Sequence, residues 1–549
     1  MAQDGIGASV KRREDARFLK GIGKYTDDIN QPNQTYCCFM RSPVAHAKIA
    51  RIDLSAAEKA PGVVAILTST DFEGVGGVPC GWLVTGKDGK PMVEPKHPIL
   101  AAGKVRHVGD PVVAVIAESL NAAKNAADLV AIDYQELPAV VDMRKAMTAG
   151  TAVHDEAPNN MCFDWEFGDK AAADAAFANA KHITKIDLIN NRLVPNALEP
   201  RAATGSFDQG TEDYTLITTS QNPHVIRLLM GAFVLGIPEH KLRVLAPDVG
   251  GGFGSKIYHY AEEALVTWAS KKIGRPVKWV AERSESFISD AHGRDHVTHA
   301  EMAFDGNGKA LGLKVDTFAN MGAYLSTFAP CIPTWLHGTL LAGQYTYPAI
   351  YVNVKAMFTN TVPVDAYRGA GRPEAAFVIE RLIDKAAAEL KLDAAELRRK
   401  NFIRPADMPY KFPAGGMLDS GQFADNMDDT MTRADWQGFK SRAAAAKTRG
   451  KIAGIGMAYY VEKTAGGFEM AHIEVRAPLT NETTGEVHVI AGTQSNGQGH
   501  ETAYAQLVAE RLGVPIEIVK VTSGDSDALR AGGGTGGSRS ITMAGGAIG

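Results

Sequence analysis

Residues 240–274, HKLRVLAPDVGGGFGSKIYHYAEEALVTWASKKIG, decide the fold class. HKLRVLAPDV (240–249) reads as a strand. HYAEEALVTWASKKIG (259–274) reads as a helix closed by Gly274, with Pro276 beyond it. Between them Gly250, Gly251, Gly252 and Gly254 surround Phe253. Glycine tolerates positive φ and lets a ligand approach the backbone, so this is a strand-to-helix loop rich in open N–H groups. The unit predicts a mixed α/β (α+β) chain.

The same alternation extends in both directions. VVAILT (63–68) and PVVAVIA (111–117) predict buried strands, separated by a Gly/Pro-rich loop from Gly74 to Pro98. SLNAAKNAADLV opens at Ser119, an N-cap type, and places Ala122, Ala126, Leu129 and Val130 on one helical face. Residues 141–180 read as a linker and an Ala-rich helix, with a domain boundary near 145–155. DYTLITTS (213–220) predicts a strand, and EAAFVIERLIDKAAAEL (374–390) the clearest helix. A third unit begins near Ile452, with strands at IAGIGMAYYV, AHIEVR and EVHVIAG and a helix at ETAYAQLVAERLG ended by Gly513. The apolar run ITMAGGAIG at the end predicts that the last domain is interrupted.

The 549 residues suffice for three or four domains. Lys+Arg of 58 against Asp+Glu of 62 leaves a net charge of −4, which excludes an electrostatic pull toward nucleic acid or anionic lipid. Five scattered cysteines without C-x-x-C read as reduced thiols of a cytoplasmic protein and exclude an iron–sulfur cluster held within this chain. The start lacks a signal-peptide apolar region, and no stretch reaches the ~18 apolar residues of a membrane span.

Chemistry-bearing residues gather in four loop regions. They are TSQNPH (219–224) with Gln221, DVGGGFGSK (248–256), DAYRGAGRPEA (365–375) with Arg368 and Arg372, and the late pair GTQSNGQGHET (492–502) and GGGTGGSRS (532–540). Glycine loops opening a helix offer aligned N–H donors and the positive end of the helix dipole, a setting for anions. GGGFGSK is not a P-loop, because Ile257 follows Lys256 where Ser or Thr is required. Gly532, Gly534 and Gly537 spell G-x-G-x-x-G, but no strand leads into them and no acidic ribose partner follows, which argues against a nicotinamide-dinucleotide site. His292, His296 and His299 lack H-E-x-x-H spacing, and strand alternation separates His296 from His299, so they read as structural or surface residues. Glu262 and Glu263 read as solvated helix positions.

In order and spacing, GGGFGSK, AYRGAGRPE, GTQSNGQGHET and GGGTGGSRS resemble the molybdopterin-binding large subunit of the xanthine oxidase family, in its bacterial carbon-monoxide-dehydrogenase-like or aldehyde-oxidase-like branch. GKYTDDI, RSPVAHAKI and GKVRHVGDPVVAVIAES resemble that family's α/β-hammerhead domain. The resemblance implies a hammerhead domain over 18–145. It implies a molybdenum-cofactor-binding domain whose first half covers 155–415 and whose second, incomplete half covers 430–549.

It further implies molybdenum held as molybdopterin cytosine dinucleotide, with no direct protein ligation of the metal. The reaction would hydroxylate an electron-poor C–H carbon with oxygen from water, electrons leaving through two [2Fe–2S] clusters to FAD on partner subunits. Gln221 matches the glutamine beside an oxygen ligand of the metal, and Arg368 the arginine of the active-site loop. Gly252, Phe253 and Gly254 match the turn at the metal. Gln498, Gly499, His500, Thr502, Gly537, Ser538, Arg539 and Ser540 match loops holding the pterin and its tail.

Departures narrow the substrate. CO-oxidising members carry A-Y-R-C-S-F-R, where this chain has Gly369, so a copper–molybdenum centre is not expected. Purine hydroxylases place glutamate, arginine and phenylalanine where Ile257, Leu336 and Ala370 stand, so the pocket lacks the polar anchors of purine recognition. A small N-heteroaromatic or an aldehyde remains. The family's general-base glutamate, in G-x-G-E, is not among these residues, so a companion chain or a longer chain is expected to supply it. Two alternatives stand beside this reading: a non-catalytic or truncated chain that binds cofactor or partners, and an NAD(P)-dependent dehydrogenase.

Overall fold

The computed structural model describes residues 5–413, 415–464, 466–478 and 484–549. It is mixed α/β, as the strand–loop–helix reading requires. A seven-stranded sheet runs in the spatial order Leu242–Leu245, Asp213–Thr218, Ala202–Asp208, Val277–Val280, Thr35–Arg41, Pro111–Ala117, Val63–Leu67. The amino-terminal region and the body of the protein therefore share one sheet, joined where Thr35 and Tyr36 pair in parallel with Val277 and Lys278. Pro111–Ala117 is buried along its whole length, consistent with its unbroken apolar run. A small three-stranded sheet of Lys104–Val105, Ala47–Asp53 and Ala131–Glu136 lies beside it.

A five-stranded sheet carries Met161–Gly168, Ala349–Phe358, Ala310–Gly322, His296–Phe304 and His182–Asn190 in that order. The helix Arg372–Leu390 packs on it through Ala375, Val378, Ile379, Leu382, Ile383 and Ala386, which recur at helical spacing. A second three-stranded sheet orders Ala471–Arg476, Glu486–Ala491 and Val519–Ser523, covered by the helix His500–Leu512. The helices Ala261–Ile273 and His500–Leu512 end at Gly274 and Gly513, both left-handed, where the sequence placed their stops.

Four local expectations are corrected. Residues 452–461 form no strand pairing among the described residues, although their composition is strand-like. Met161–Gly168, read as linker, is a strand paired with Ala349–Phe358. The helix opening after Ser119 ends at Ala127 and buries Ala123, Ala126 and Ala127, leaving Leu129 exposed.

Glu262 and Glu263 are buried, not solvated. Glu262 lies 2.7 Å from Arg41 and 3.0 Å from Arg201; burial alone would raise its pKa, but Arg201 and Arg41 hold it down at about 2. Glu263 accepts from the Thr218 hydroxyl at 2.7 Å and sits 3.1 Å from His259 Nδ1. Apart from His259, four residues before Glu263, these partners lie 45 to 221 positions away, so helical periodicity could not reveal them.

The histidines separate as alternation requires. His296 is buried against His337, His299 is half-buried beside Asp187, and His292 lies 3.0 Å from the carbonyl of Phe287.

Candidate functional site

Gln221 leaves the strand Asp213–Thr218 just before the helix Pro223–Leu229 and is buried at a junction of loops. Its backbone N–H donates to Lys256 O at 2.8 Å, and its carbonyl accepts from Thr535 N at 3.0 Å. Its side chain repeats this bridge: Oε1 accepts from Gly254 N at 3.0 Å and Nε2 donates to Thr535 O at 2.9 Å. One neutral amide thus ties loop 250–256 to loop 532–537 and is held in a single orientation.

The glycines here are required by contact. A Cβ on Gly252 would collide with the Gln221 side chain, and one on Gly534 (φ +71°) with Asn222 Oδ1. Phe253 follows Gly252 in the left-handed region at φ +54° and is 43% exposed. Behind the loop, Glu199 accepts from Gly250 N at 2.7 Å and from buried Lys256 Nζ at 2.9 Å.

The Arg368 loop meets the same spot from the other side. Arg368 N donates to Phe253 O at 2.8 Å, and a Cβ on Gly254 would strike Ala366 O. Gly369, Ala370 and Gly371 all have positive φ, at 96°, 39° and 82°. Gly371 lies against the backbone of Leu336, whose side chain is half-buried. Arg368 is exposed, Ala370 is buried, and buried Ile257 faces Gly536.

Beneath the loop, Asp365 accepts from Phe328 N at 2.8 Å and Ala366 N at 2.6 Å. Burial nonetheless pushes its pKa up to about 7.

The late loops close the remaining wall. Thr535 Oγ1 donates to Gln494 O at 2.6 Å, and Gln494 Nε2 donates to Ala246 O and Pro247 O at 3.0 and 2.6 Å. Gly499 precedes the helix His500–Leu512 at φ +88° and offers no side-chain cap, so the first-turn N–H groups lack a capping side chain. His500 is buried and kept neutral, burial lowering its pKa to about 4. Gln498 and Gly537 are exposed. Ser538, at φ +60°, donates to Glu462 at 2.6 Å.

Two side chains read as cofactor contacts are engaged by the protein itself. Thr502 Oγ1 donates to Glu14 and accepts from Arg13 N, and the buried Arg539 guanidinium lies 2.6 Å from Glu469 and donates to Gly534 O. Ser540 O lies 3.4 Å from the Tyr504 hydroxyl. Sequence reasoning missed Glu14, Glu199, Arg294 and Glu469, whose partners lie 51 to 488 positions away.

The geometry fits a large anionic ligand with a polar ring system. Asn222 Oδ1, His224 Nδ1, His500 Nδ1 and both side-chain polar atoms of Asn496 are buried without partners around these loops. Unpaired buried polar atoms are costly and are rare in finished structures, so such a cluster marks a place that a ligand's groups would satisfy. Oδ1 of Asn222 and Asn496 and Nδ1 of His224, whose Nε2 faces Leu529 O, accept, while Asn496 Nδ2 donates, a mixed set that suits the edge of a polar ring beside the uncapped helix start at His500. Among the described residues no trio of His, Cys, Asp or Glu is arranged to hold a metal ion directly.

The family model described as "Molybdopterin cofactor-binding domain" matches residues 153–402, and a second model of the same description matches 429–549. The model "Aldehyde oxidase and xanthine dehydrogenase, a/b hammerhead domain" matches 20–138. The chain is 34% identical to the nicotine 6-hydroxylase large subunit of Paenarthrobacter nicotinovorans, over 99% of this chain and 67% of that one. It is 35% identical to the carbon monoxide dehydrogenase large chain of Hydrogenophaga pseudoflava, over 100% of this chain and 70% of that one. Its fold superposes on quinoline 2-oxidoreductase from Pseudomonas putida 86 with a TM-score of 0.92, at 31% identity, covering 99% of this chain and 69% of that one.

Proposed function

Because this chain belongs to the xanthine oxidase family of molybdopterin-binding large subunits, we propose that it is the cofactor-holding part of a hydroxylase acting on a small N-heteroaromatic or an aldehyde. The observation that carries this reading is the doubly bridged Gln221, which joins the glycine turn to the Thr535 loop, while Arg368 N binds the same turn at Phe253 O. The nicotine and quinoline enzymes among its relatives support a nitrogen heterocycle as the substrate class. Gly369 where copper-binding members have cysteine argues against CO oxidation.

A bound molybdenum–pterin group, in the cytosine dinucleotide form, would supply two-electron oxidation with water as the oxygen source. Gln221 and the Gly252–Gly254 backbone would hold its oxo face with neutral donors, which stabilise an oxygen ligand without displacing it. Gln498, Gly499 and His500, with the Gly537–Ser540 backbone, would hold the pterin and its tail. Arg368 would present a permanent cation at the mouth, and Ile257, Leu336 and Ala370 would line an apolar wall that favours a flat, weakly polar substrate. Partner subunits carrying [2Fe–2S] clusters and FAD would remove the electrons, in the cytoplasm.

The carboxylates around the loops are committed elsewhere. Glu199 binds Lys256, Glu374 lies beside Arg294, Glu462 is shared by Arg372 and Ser538, and Glu469 holds Arg539. By the family resemblance, the general base would be a glutamate outside these residues, and a positioned base contributes about 10²–10⁴ in rate. Metal analysis and turnover of the native complex test the proposal. The expected result is about one molybdenum per chain and hydroxylation with solvent-derived oxygen; absence of molybdenum would overturn it. The isolated chain loaded with cofactor should turn over at least ~10²-fold more slowly than the complex.

A further inference from the structure

Behind the Arg368 loop lies a side chain that the reading above leaves without a role. Arg294 is buried, with 7% of its side chain exposed, at the start of the turn before the strand His296–Phe304. Its Nη1 donates to Tyr367 O at 2.8 Å, and its Nη2 donates to Arg368 O at 2.6 Å. The guanidinium also lies 5.0 Å from the centroid of the Tyr367 ring. Its charge is balanced by Glu374, 3.5 Å away and 1% exposed, in the first turn of the helix that follows the loop. Glu374 Oε2 has no hydrogen-bond partner, so burial raises the pKa of this acid even beside a cation.

The backbone at this point is strained. Arg294 and Asp295 both sit at φ +67°, a conformation that costs a side-chain-bearing residue energy and persists only where the surroundings impose it. They are imposed here. Asp295 Oδ2 accepts from Arg192 at 2.7 Å and Asn320 at 3.0 Å, and Asn320 N donates to Asp295 O. His292 N donates to Pro363 O, and Asp365 N to His292 O. A Cβ on Gly293 would collide with the Tyr367 side chain, so the turn is pressed directly against the loop. Arg372 grips the next carbonyl, donating to Gly369 O at 2.9 Å.

We propose that Arg294 is a positioning residue for the reaction: its guanidinium, through two adjacent carbonyls, fixes where Arg368 and Ala370 stand relative to the Phe253 turn, and thereby sets turnover and substrate fit. Two parallel donors on one planar group fix both distance and tilt, which a lysine's single ammonium point cannot do. The proposal rests on the hydroxylase reading for its kinetic consequence, but not for its geometric one.

The test uses the purified complex with Arg294→Lys, Arg294→Met and Arg294→Ala, and with quinoline and benzaldehyde as probe substrates. Arg294→Met should lower kcat/KM about 10- to 100-fold, the scale expected when a reacting group shifts by ~1 Å, with molybdenum content unchanged. Arg294→Lys should fall between it and the parent. Millimolar guanidinium should restore at least threefold of the activity lost in Arg294→Ala and leave the parent unaffected, a rescue that a merely structural defect would not show.

Independently of turnover, amide exchange at Arg368 and Ala370 should quicken at least tenfold in Arg294→Met, while the amides of Gly293 and Leu193 keep their parent rates. Unchanged exchange at Arg368, or Arg294→Met kinetics within twofold of the parent, would overturn the inference. A parent complex that hydroxylates neither probe would count against the proposed function, and the exchange measurement would still decide the role of Arg294.

Discussion

The two walls of the cradle are built differently. The wall made of residues 250–257 and 365–372 is fixed from behind by three buried cations and their acids: Lys256 with half-buried Glu199, Arg294 with buried Glu374, Arg372 with exposed Glu462. Its glycines touch neighbours on every side. The wall made of residues 494–500 and 532–540 has one buried ion pair, Arg539 with Glu469, and packed glycines at 532–534, but it opens at Gly497, which at φ +101° meets nothing within 4 Å, and at the helix starting at His500, which has no side-chain cap. The difference teaches a division of labour. On the proposed function, the wall that would place the reacting atoms has the more strained and more heavily ion-paired backing, and the wall that would hold a charged tail has the freer loop and the uncapped helix start.

Paired glycine substitutions put the greatest load on this contrast. Gly252→Ala drives a methyl into Gln221 and should lower turnover of the complex by about 10²-fold or more. Gly497→Ala meets no atom and should cost about 1 kcal/mol of stability from its positive φ, with turnover within twofold of the parent. Equal losses of activity in the two variants would erase the distinction between the walls. Ala370→Phe has a smaller expected effect, because it fills the pocket without touching Gln221. It should reduce kcat/KM for quinoline about tenfold relative to an aliphatic aldehyde, and an unchanged ratio would remove Ala370 from the pocket lining.

A pH experiment sharpens the fixed wall. Asp365 supports the Arg368 loop, and its pKa is raised from 3.8 to about 7 by burial. The folded chain keeps a proton that the unfolded chain releases at 3.8. The stability it contributes is therefore complete below that value and is lost as pH climbs to about 7, at a slope on the order of 1 kcal/mol per pH unit, with no further change above. Asp365→Asn should flatten this part of the stability profile measured by urea unfolding between pH 4 and 8. A profile with the same slope in the variant would show that another group is responsible.

What the sequence made legible divides along the same line. Strand–glycine–helix units, helix stops at Gly274 and Gly513, and the glycine loops were readable, because each is encoded in one continuous stretch such as residues 240–274. The devices that fix the loops were not. Arg294 and Glu374 are 80 positions apart and Thr502 and Glu14 are 488 apart, and neither pair has a local signature. Glu262 looked solvated because helical periodicity says nothing of Arg41, 221 residues earlier. Residues 452–461 had strand composition, but a strand requires a hydrogen-bonded neighbour, which composition cannot supply.

The most direct test of the central claim, that Gln221 joins both walls at the metal, is the Mo(V) electron paramagnetic resonance spectrum of the substrate-reduced complex in the parent and in Gln221→Ala. The account predicts equal molybdenum content, a shifted spectrum and turnover lowered about 10²-fold in the variant. An identical spectrum with undiminished turnover would contradict it.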